Sequence, residues 1–402
     1  MKSAISEFLN HRRSWPITIN WCRSLCEQIN VNDIKPDEFA HLADKIGDIY
    51  RKFGYRDYIW KEQITGKIWE RGFIDTLDLK DRVNVWKGAI FIGENNETID
   101  FLRQKLVDKI IDGNAEKVSI AILTRILDCM NTTNYNDPKI INFIENLLKS
   151  PESSDGKITG NFVGTLLSTY GKLRVDPTNV YPIISEILAS KFSLYSHNLK
   201  ASVAHSLALN GIADENLWTN TIFKELLKIN HRTLTTWKLS EIHHTLIILE
   251  LLHPFFKETK LYNSGKYKNM KKKTQEAWDR VFREKYKKDY RNMKGYCTLW
   301  LQSRLHKDIF STFKKLKIKL MPEYQTEYPY TLDVDLLYPP NTVIEIQGPY
   351  HYIKPNFELC GKTVIKNQLL EKLGYRVINI PHFKWDSLKN DQKPDYLLSL
   401  LK

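Results

Sequence analysis

Apolar residues recur at i, i+3, i+4 and i+7 through most of the first 255 residues, and strict alternation is nearly absent. That periodicity predicts amphipathic helices, and the helices themselves recur. Six segments carry the pattern: FAHLADKIGDIY from Phe39, VNVWKGAIFI from Val83, IAILTRILDCM from Ile120, FVGTLLSTYGKL from Phe162, SVAHSLALNGI from Ser202 and IHHTLIILELL from Ile242. Their starts are 44, 37, 42, 40 and 40 residues apart. Second helices are expected between them, around 58–69, 99–111, 140–148, 181–188 and 217–227, with Pro138, Pro151, Asp176-Pro177 and Gly211 as punctuation. A helix pair repeated about every 40 residues is the pattern of an α-solenoid, in which each pair buries its apolar stripe only against its neighbours. About six pairs over residues 1–256 are expected.

The pattern changes at 257. Residues 257–275 (KETKLYNSGKYKNMKKKTQ) read as a mobile basic linker, and 257–298 as a linker followed by an amphipathic helix. On that helix Lys273, Arg280, Arg283, Lys287, Arg291 and Lys294 fall on one face. Trp278, Phe282, Tyr286, Tyr290 and Met293 fall on the other. With Lys271 and Lys272 these cations form a candidate phosphate-binding row, sequence-independent and salt-sensitive.

From 299 to 402 the pattern is that of a small α/β domain. A helix over 299–316 precedes strands near 317–324, 330–337 and 342–347, a helix from Gly361, a strand at 376–380 and a last helix near 396–401. The strand at 342–347 delivers Glu345 and Gln347 to one face and stops at Gly348-Pro349, with His351 just beyond. Gly361-Lys362-Thr363 opens the next helix and Gly374 ends it; Pro381 stops the following strand. The GxxxxGK[ST] spacing is absent, so the Gly-Lys-Thr is not a P-loop.

The motifs resemble the RAP domain, a family associated with RNA in mitochondria and chloroplasts. The matching residues are Glu345, Gly348, Pro349 and His351, then Gly361, Lys362 and Thr363. Leu373, Gly374, Tyr375, Val377, Ile380, Pro381 and Trp385 complete the pattern. Gln347 departs from it, standing where the family usually has Asp. The resemblance covers roughly 320–402. The array before it resembles the octotricopeptide and heptatricopeptide arrays that often precede RAP domains. The expected fold is therefore an α-helical repeat solenoid followed by a small α/β restriction-endonuclease-like (RAP) domain.

The order α-β-β-β-α-β is similar to the core of restriction-endonuclease-like folds, including very-short-patch repair endonucleases. That likeness supplies the chemical question. Asp333 and Asp335 share one face of the second strand and Glu345 lies on the third; Asp335 and Glu345 are candidate Mg²⁺ ligands. Gln347 stands where a Lys would stabilise the attacking hydroxide, and a neutral amide supplies no such charge. Lys366, one turn beyond Lys362, is the candidate substitute. A metal-dependent RNA endonuclease using Asp335, Glu345 and a migrated Lys366 is thus the alternative. The favoured expectation is RNA binding without catalysis and without a cofactor, magnesium entering only with the alternative. In it Gln347, His351, Lys362, Thr363 and Lys366 contact RNA, His351 with Tyr350 or Tyr352 stacks on unpaired bases, and the helix start at 361–363 favours an anion.

Charge sharpens the picture. The chain carries a net +13, and residues 257–319 hold 20 Lys+Arg against 6 Asp+Glu, so the whole excess lies in that stretch. A scaffold contacting only protein conflicts with it. Five scattered cysteines without a CxxC pair fit a reducing or matrix-type compartment, with Cys22 and Cys26 read as buried small hydrophobes. His243-His244 reads as a core or surface pair. The longest apolar run, 245–256, carries Glu250 and is too short to cross a bilayer. Lys2, Arg12 and Arg13 are accompanied by Glu7 and no clear cleavage pattern, a poor transit peptide. Expected partners are ribosomal RNA or organellar transcripts and other proteins of a ribonucleoprotein assembly, with no membrane. The expected location is the mitochondrial matrix, with the plastid as alternative.

Overall fold

The computed structural model describes residues 31–53, 58–112, 118–149, 158–230, 233–290, 303–326 and 332–402. The chain divides into two compact units, one of 1–133 with 137–162, the other of 134–136 with 163–402.

The first unit contains α1 (Pro36–Phe53), α2 (Tyr58–Ile68), α3 (Leu79–Ile92), α4 (Asn96–Asp112), α5 (Ile120–Thr133) and α6 (Pro138–Lys149). α1 packs on α3, α3 on α5, and α4 on α6, so first helices stack on first helices and second on second. This is the nearest-neighbour layering that a helix-pair repeat requires. Asp78 caps α3 by accepting the Asp81 N–H at 2.7 Å, and Gly93, left-handed at φ 82°, ends it.

The second unit continues the series with α7 (Gly160–Leu173), α8 (Tyr181–Lys191) and α9 (His197–Leu209). α10 follows, a π turn (Leu217–Ile222) running into an α turn (Phe223–Leu226), and then α11 (Thr236–Leu252) and the short α12 (Phe255–Glu258). Ser196 caps α9 and Thr235 caps α11. Every expected first helix, from α1 through α11, is present near its expected position, as are the second helices between them.

α13 (Gly265–Tyr290) corrects the linker at 257–275. The helix begins inside that stretch, at Gly265, because Tyr267, Met270, Thr274 and Ala277 are buried at helical spacing on a helix that packs on α11. Lysines between those positions hid the stripe in the sequence.

The C-terminal α/β part comprises α14 (Arg304–Lys315), β1 (Met321–Gln325), β2 (Asp333–Tyr338) and β3 (Thr342–Gln347). A small hairpin of β4 (Tyr352–Ile353) and β5 (Glu358–Leu359) comes next. α15 (Gly361–Lys372), β6 (Arg376–Pro381), α16 (His382–Ser387) and α17 (Lys393–Leu401) complete it. The four-stranded sheet runs β1-β2-β3-β6, antiparallel except for the parallel β3–β6 pair. On one face Leu336, Ile344, Ile346, Ile378 and Ile380 form a core with Ile309 and Phe313 of α14, Trp385 of α16 and Leu397 of α17. Alternation along β3 sends Glu345 and Gln347 to the opposite face. The hairpin and α16 were not foreseen; strands of two residues leave no periodicity to read.

Candidate nucleic-acid interface

The β2–β3 ladder ends at Leu336 opposite Ile344; one residue further Glu345 meets Asp335 through side-chain bonds and pairs in register with Asn379 of β6. The Glu345 carboxylate is buried, at 3% exposure. One oxygen accepts from the Asp335 backbone N–H at 3.4 Å and the other lies 2.8 Å from Lys366 Nζ of α15. Asp335 Oδ2 in turn accepts the Ile346 N–H at 2.7 Å, and His306 Nε2 of α14 stands 3.7 Å from it. Burial works against the Asp335 charge, but the His306 ring, the Lys366 ammonium and the Ile346 N–H outweigh it and hold the carboxyl below the ordinary aspartate range. The structure thus brings Asp335, Glu345 and Lys366 together, with His306 as a fourth member that no sequence signal marked.

Gln347 and Thr363 of the motif are engaged inside the fold. Gln347 is 1% exposed and donates to Asn379 Oδ1 at 2.8 Å, so its amide is not presented at the surface. Thr363 is buried, its hydroxyl 3.0 Å from His351 Nδ1 and 3.4 Å from Cys360 Sγ. His351 itself keeps an exposed edge. Of the two tyrosines flanking it, Tyr350 is exposed and Tyr352 is buried, which removes Tyr352 from the base-stacking candidates. Trp385 donates from its indole N–H to Asp308 at 2.9 Å, and Lys393 lies 2.6 Å from the same carboxylate, tying α16 and α17 to α14.

The helix start at Gly361 is not an open anion site. Gly361 is buried, and a methyl group added there would stand 1.8 Å from the carbonyl oxygen of Gly171. Gly171 lies in the last turn of α7, whose terminal carbonyls lack intrahelical donors. The negative end of α7 therefore meets the positive end of α15. The same docking is fastened elsewhere. Arg174 pairs with Glu358 at 3.1 Å, Asn134 Nδ2 donates to the Tyr350 carbonyl at 2.6 Å, and the Lys354 N–H donates to the Asn134 carbonyl at 2.7 Å.

This docking concentrates positive charge. Lys362, exposed at the start of α15, comes beside Lys172 of α7 and His205 of α9. Burial, and then the Lys362 cation, pull the Lys172 ammonium below its usual value. His205 is held well below the usual histidine value by burial and then by His244, Lys362 and Lys238. Its ring is 6.2 Å from that of His244 on α11. Lys172 and His205 meet Lys362 only through the docking of α15, so nothing in the linear sequence marked them. Of the His243-His244 pair, His243 is buried.

Along α13, Lys272, Lys273 and Arg280 are exposed. Lys271 instead turns inward, 2.6 Å from the buried Glu250 carboxylate, which also accepts from the Tyr267 hydroxyl. Arg283 and Lys287 lie on the described helix, their side chains outside the described residues, as are Arg291 and Lys294. Cys22 and Cys26 also lie outside them; Cys129 and Cys360 are free and buried. Among the described residues no helix is long and apolar enough to cross a membrane.

Residues 344–400 match the RAP domain model, so the C-terminal module is a RAP domain. The match starts within β3, narrower than the span from about 320, and leaves β2 with Asp335 outside it. Over 256 residues the chain is 25% identical to the human FAST kinase domain-containing protein 3, mitochondrial. That alignment covers 58% of this chain and 36% of the human protein, so the chain spans little more than a third of that relative's length.

Proposed function

We propose that the chain is a mitochondrial RNA-binding protein that holds RNA without cutting it. The observation that carries this reading is the close approach of Gly361 to Gly171, which docks the start of α15 on the end of α7 and sets the exposed Lys362 beside Lys172. Such a place in a fold favours a polyanion. The RAP domain and the mitochondrial relative support it, and the exposed cations of α13 extend the surface. The matrix is the compartment proposed, with ribosomal RNA or a transcript as ligand and other proteins of a ribonucleoprotein assembly as partners. Crosslinking in cells followed by sequencing separates the two RNA classes: reads concentrated on ribosomal RNA indicate a mitoribosome component, reads on one transcript a processing or stability factor.

Magnesium binding needs oxygen ligands open to the ion. Both Glu345 oxygens already accept from protein donors, and the residue is buried, so the pair does not fit a magnesium site as arranged. One observation favours a second reading, that of a metal-dependent RNA endonuclease: Lys366 does stand beside Glu345, where that reading needs it. The two are separated by incubating purified protein with single-stranded RNA and Mg²⁺ or Mn²⁺. Binding without cleavage is expected. Cleavage abolished by Asp335→Asn, Glu345→Gln or Lys366→Ala would replace the first reading with the second.

A further inference from the structure

Between residues 340 and 390 three large apolar side chains are exposed, and all are aromatic: Tyr350 at 81%, Phe357 at 54% and Phe383 at 44%. Phe357 ends the β4–β5 loop and Phe383 lies in the first turn of α16. Their ring centroids are 5.9 Å apart at an interplanar angle of 69°. Phe383 also meets Tyr352 at 5.2 Å and 67°, and His382 at 5.4 Å and 80°. Tyr352 is buried and anchors the group from beneath. All three neighbours meet Phe383 steeply and none lies parallel to it, so among the described rings the place of an offset-stacked partner is unfilled.

The backbone gives a second observation. Phe357 has φ 56°, the left-handed region, where a bulky L-residue is strained. Its N–H donates to the Ile353 carbonyl at 2.8 Å, so closure of the hairpin loop imposes the conformation. Glycine would adopt it freely. A half-exposed phenyl ring held at such a position is poorly explained by turn chemistry, and strain of this kind clusters at ligand contacts.

We infer that Phe357 and Phe383 form a stacking platform for an unpaired nucleobase of single-stranded RNA, an inference that rests on the RNA-binding reading above. Every base offers a π-face, and aromatic rings with cations beside them are how unpaired bases are held. Lys354 begins the loop that Phe357 ends, and Lys384 follows Phe383, placing cations where flanking phosphates would run. The exposed large side chains here include no aliphatic one, which favours a planar ligand over a protein helix.

The test is binding of a short single-stranded RNA containing 2-aminopurine, whose fluorescence is quenched by stacking, with an RNA duplex as control. Phe357→Gly in the full chain releases the strained φ, so its melting temperature should hold or rise while single-strand affinity falls about tenfold or more. Phe357→Trp should retain quenching and affinity. Wild-type protein that binds the single strand no better than Phe357→Gly does, or no better than it binds the duplex, would overturn the platform and leave RNA binding standing. Wild-type protein that binds neither RNA would overturn both.

Discussion

Gly361 and Gly171 approach so closely that a methyl group on the former would lie 1.8 Å from the carbonyl oxygen of the latter. The Gly-Lys-Thr of the RAP motif therefore acts here as a packing site: glycine lets α15 dock end-on against α7, and that docking brings Lys362 beside Lys172.

Gly361→Ala should accordingly destabilise the chain by about 3 kcal/mol, because the obstacle is backbone and cannot swing aside. RNA affinity should fall with it as Lys362 is displaced. Gly66→Ala in α2, where an added methyl meets nothing within 4 Å, is the control and should be neutral or stabilising. Thermal unfolding of both variants checks the contrast.

The Lys366–Glu345 pair predicts an asymmetry. Lys366→Ala leaves a buried carboxylate without its cation and should cost about 3 kcal/mol, measured by urea unfolding. Replacing both partners together, Lys366→Met with Glu345→Gln, should recover a large part of that loss, since the uncompensated charge disappears. If the pair were a solvated surface contact, Lys366→Ala would cost well under 1 kcal/mol.

Asp335 makes stability depend on pH in a definite direction. Its carboxyl is held below the ordinary value, so its contribution is complete above the ordinary aspartate pKa of about 3.9 and is lost as pH falls through the lowered folded value. Asp335→Asn weakens the charge-assisted bond from the Ile346 N–H and should cost roughly 1–2 kcal/mol at neutral pH. The gap between wild type and variant should stay constant down to about pH 5 and close below about pH 4. A gap that widens on acidification would reverse the assigned sign.

The helical array was legible in the sequence because its apolar positions are uninterrupted: Phe162, Leu166, Leu167 and Tyr170 are all buried at the spacing that announced α7. β3 was legible because six residues between Asn341 and Gly348 suffice for alternation. Where the reading fell short, the missing information was tertiary. Tyr350 and Tyr352 look equivalent beside His351, yet one is exposed and the other buried, a difference set by Phe383 of α16 packing against Tyr352. Gln347 reads in the sequence as a ligand contact because it replaces a charged residue, whereas in the fold it is buried and its amide N–H donates to Asn379 of β6. Lys172 sits on an ordinary repeat helix and meets Lys362 only because a helix some 190 residues downstream docks there.

α13 separates two lysines that the sequence cannot tell apart. Lys271 lies against buried Glu250, while Lys272 is exposed one position later. Lys271→Gln should therefore cost about 3 kcal/mol of stability by stranding that carboxylate. Lys272→Gln, Lys273→Gln and Arg280→Gln together should leave the melting temperature within a degree or two, since exposed positions away from special contacts change stability little. Their effect should appear in binding. Each phosphate contact contributes about 0.7 to the slope of log K against log salt for a single strand, so three lost contacts should flatten it by about 2. Titrating single-stranded RNA at several salt concentrations reads that slope directly. An unchanged slope in the triple variant would mean that these cations are merely solvated and that the junction around Lys362 carries the phosphate contacts alone.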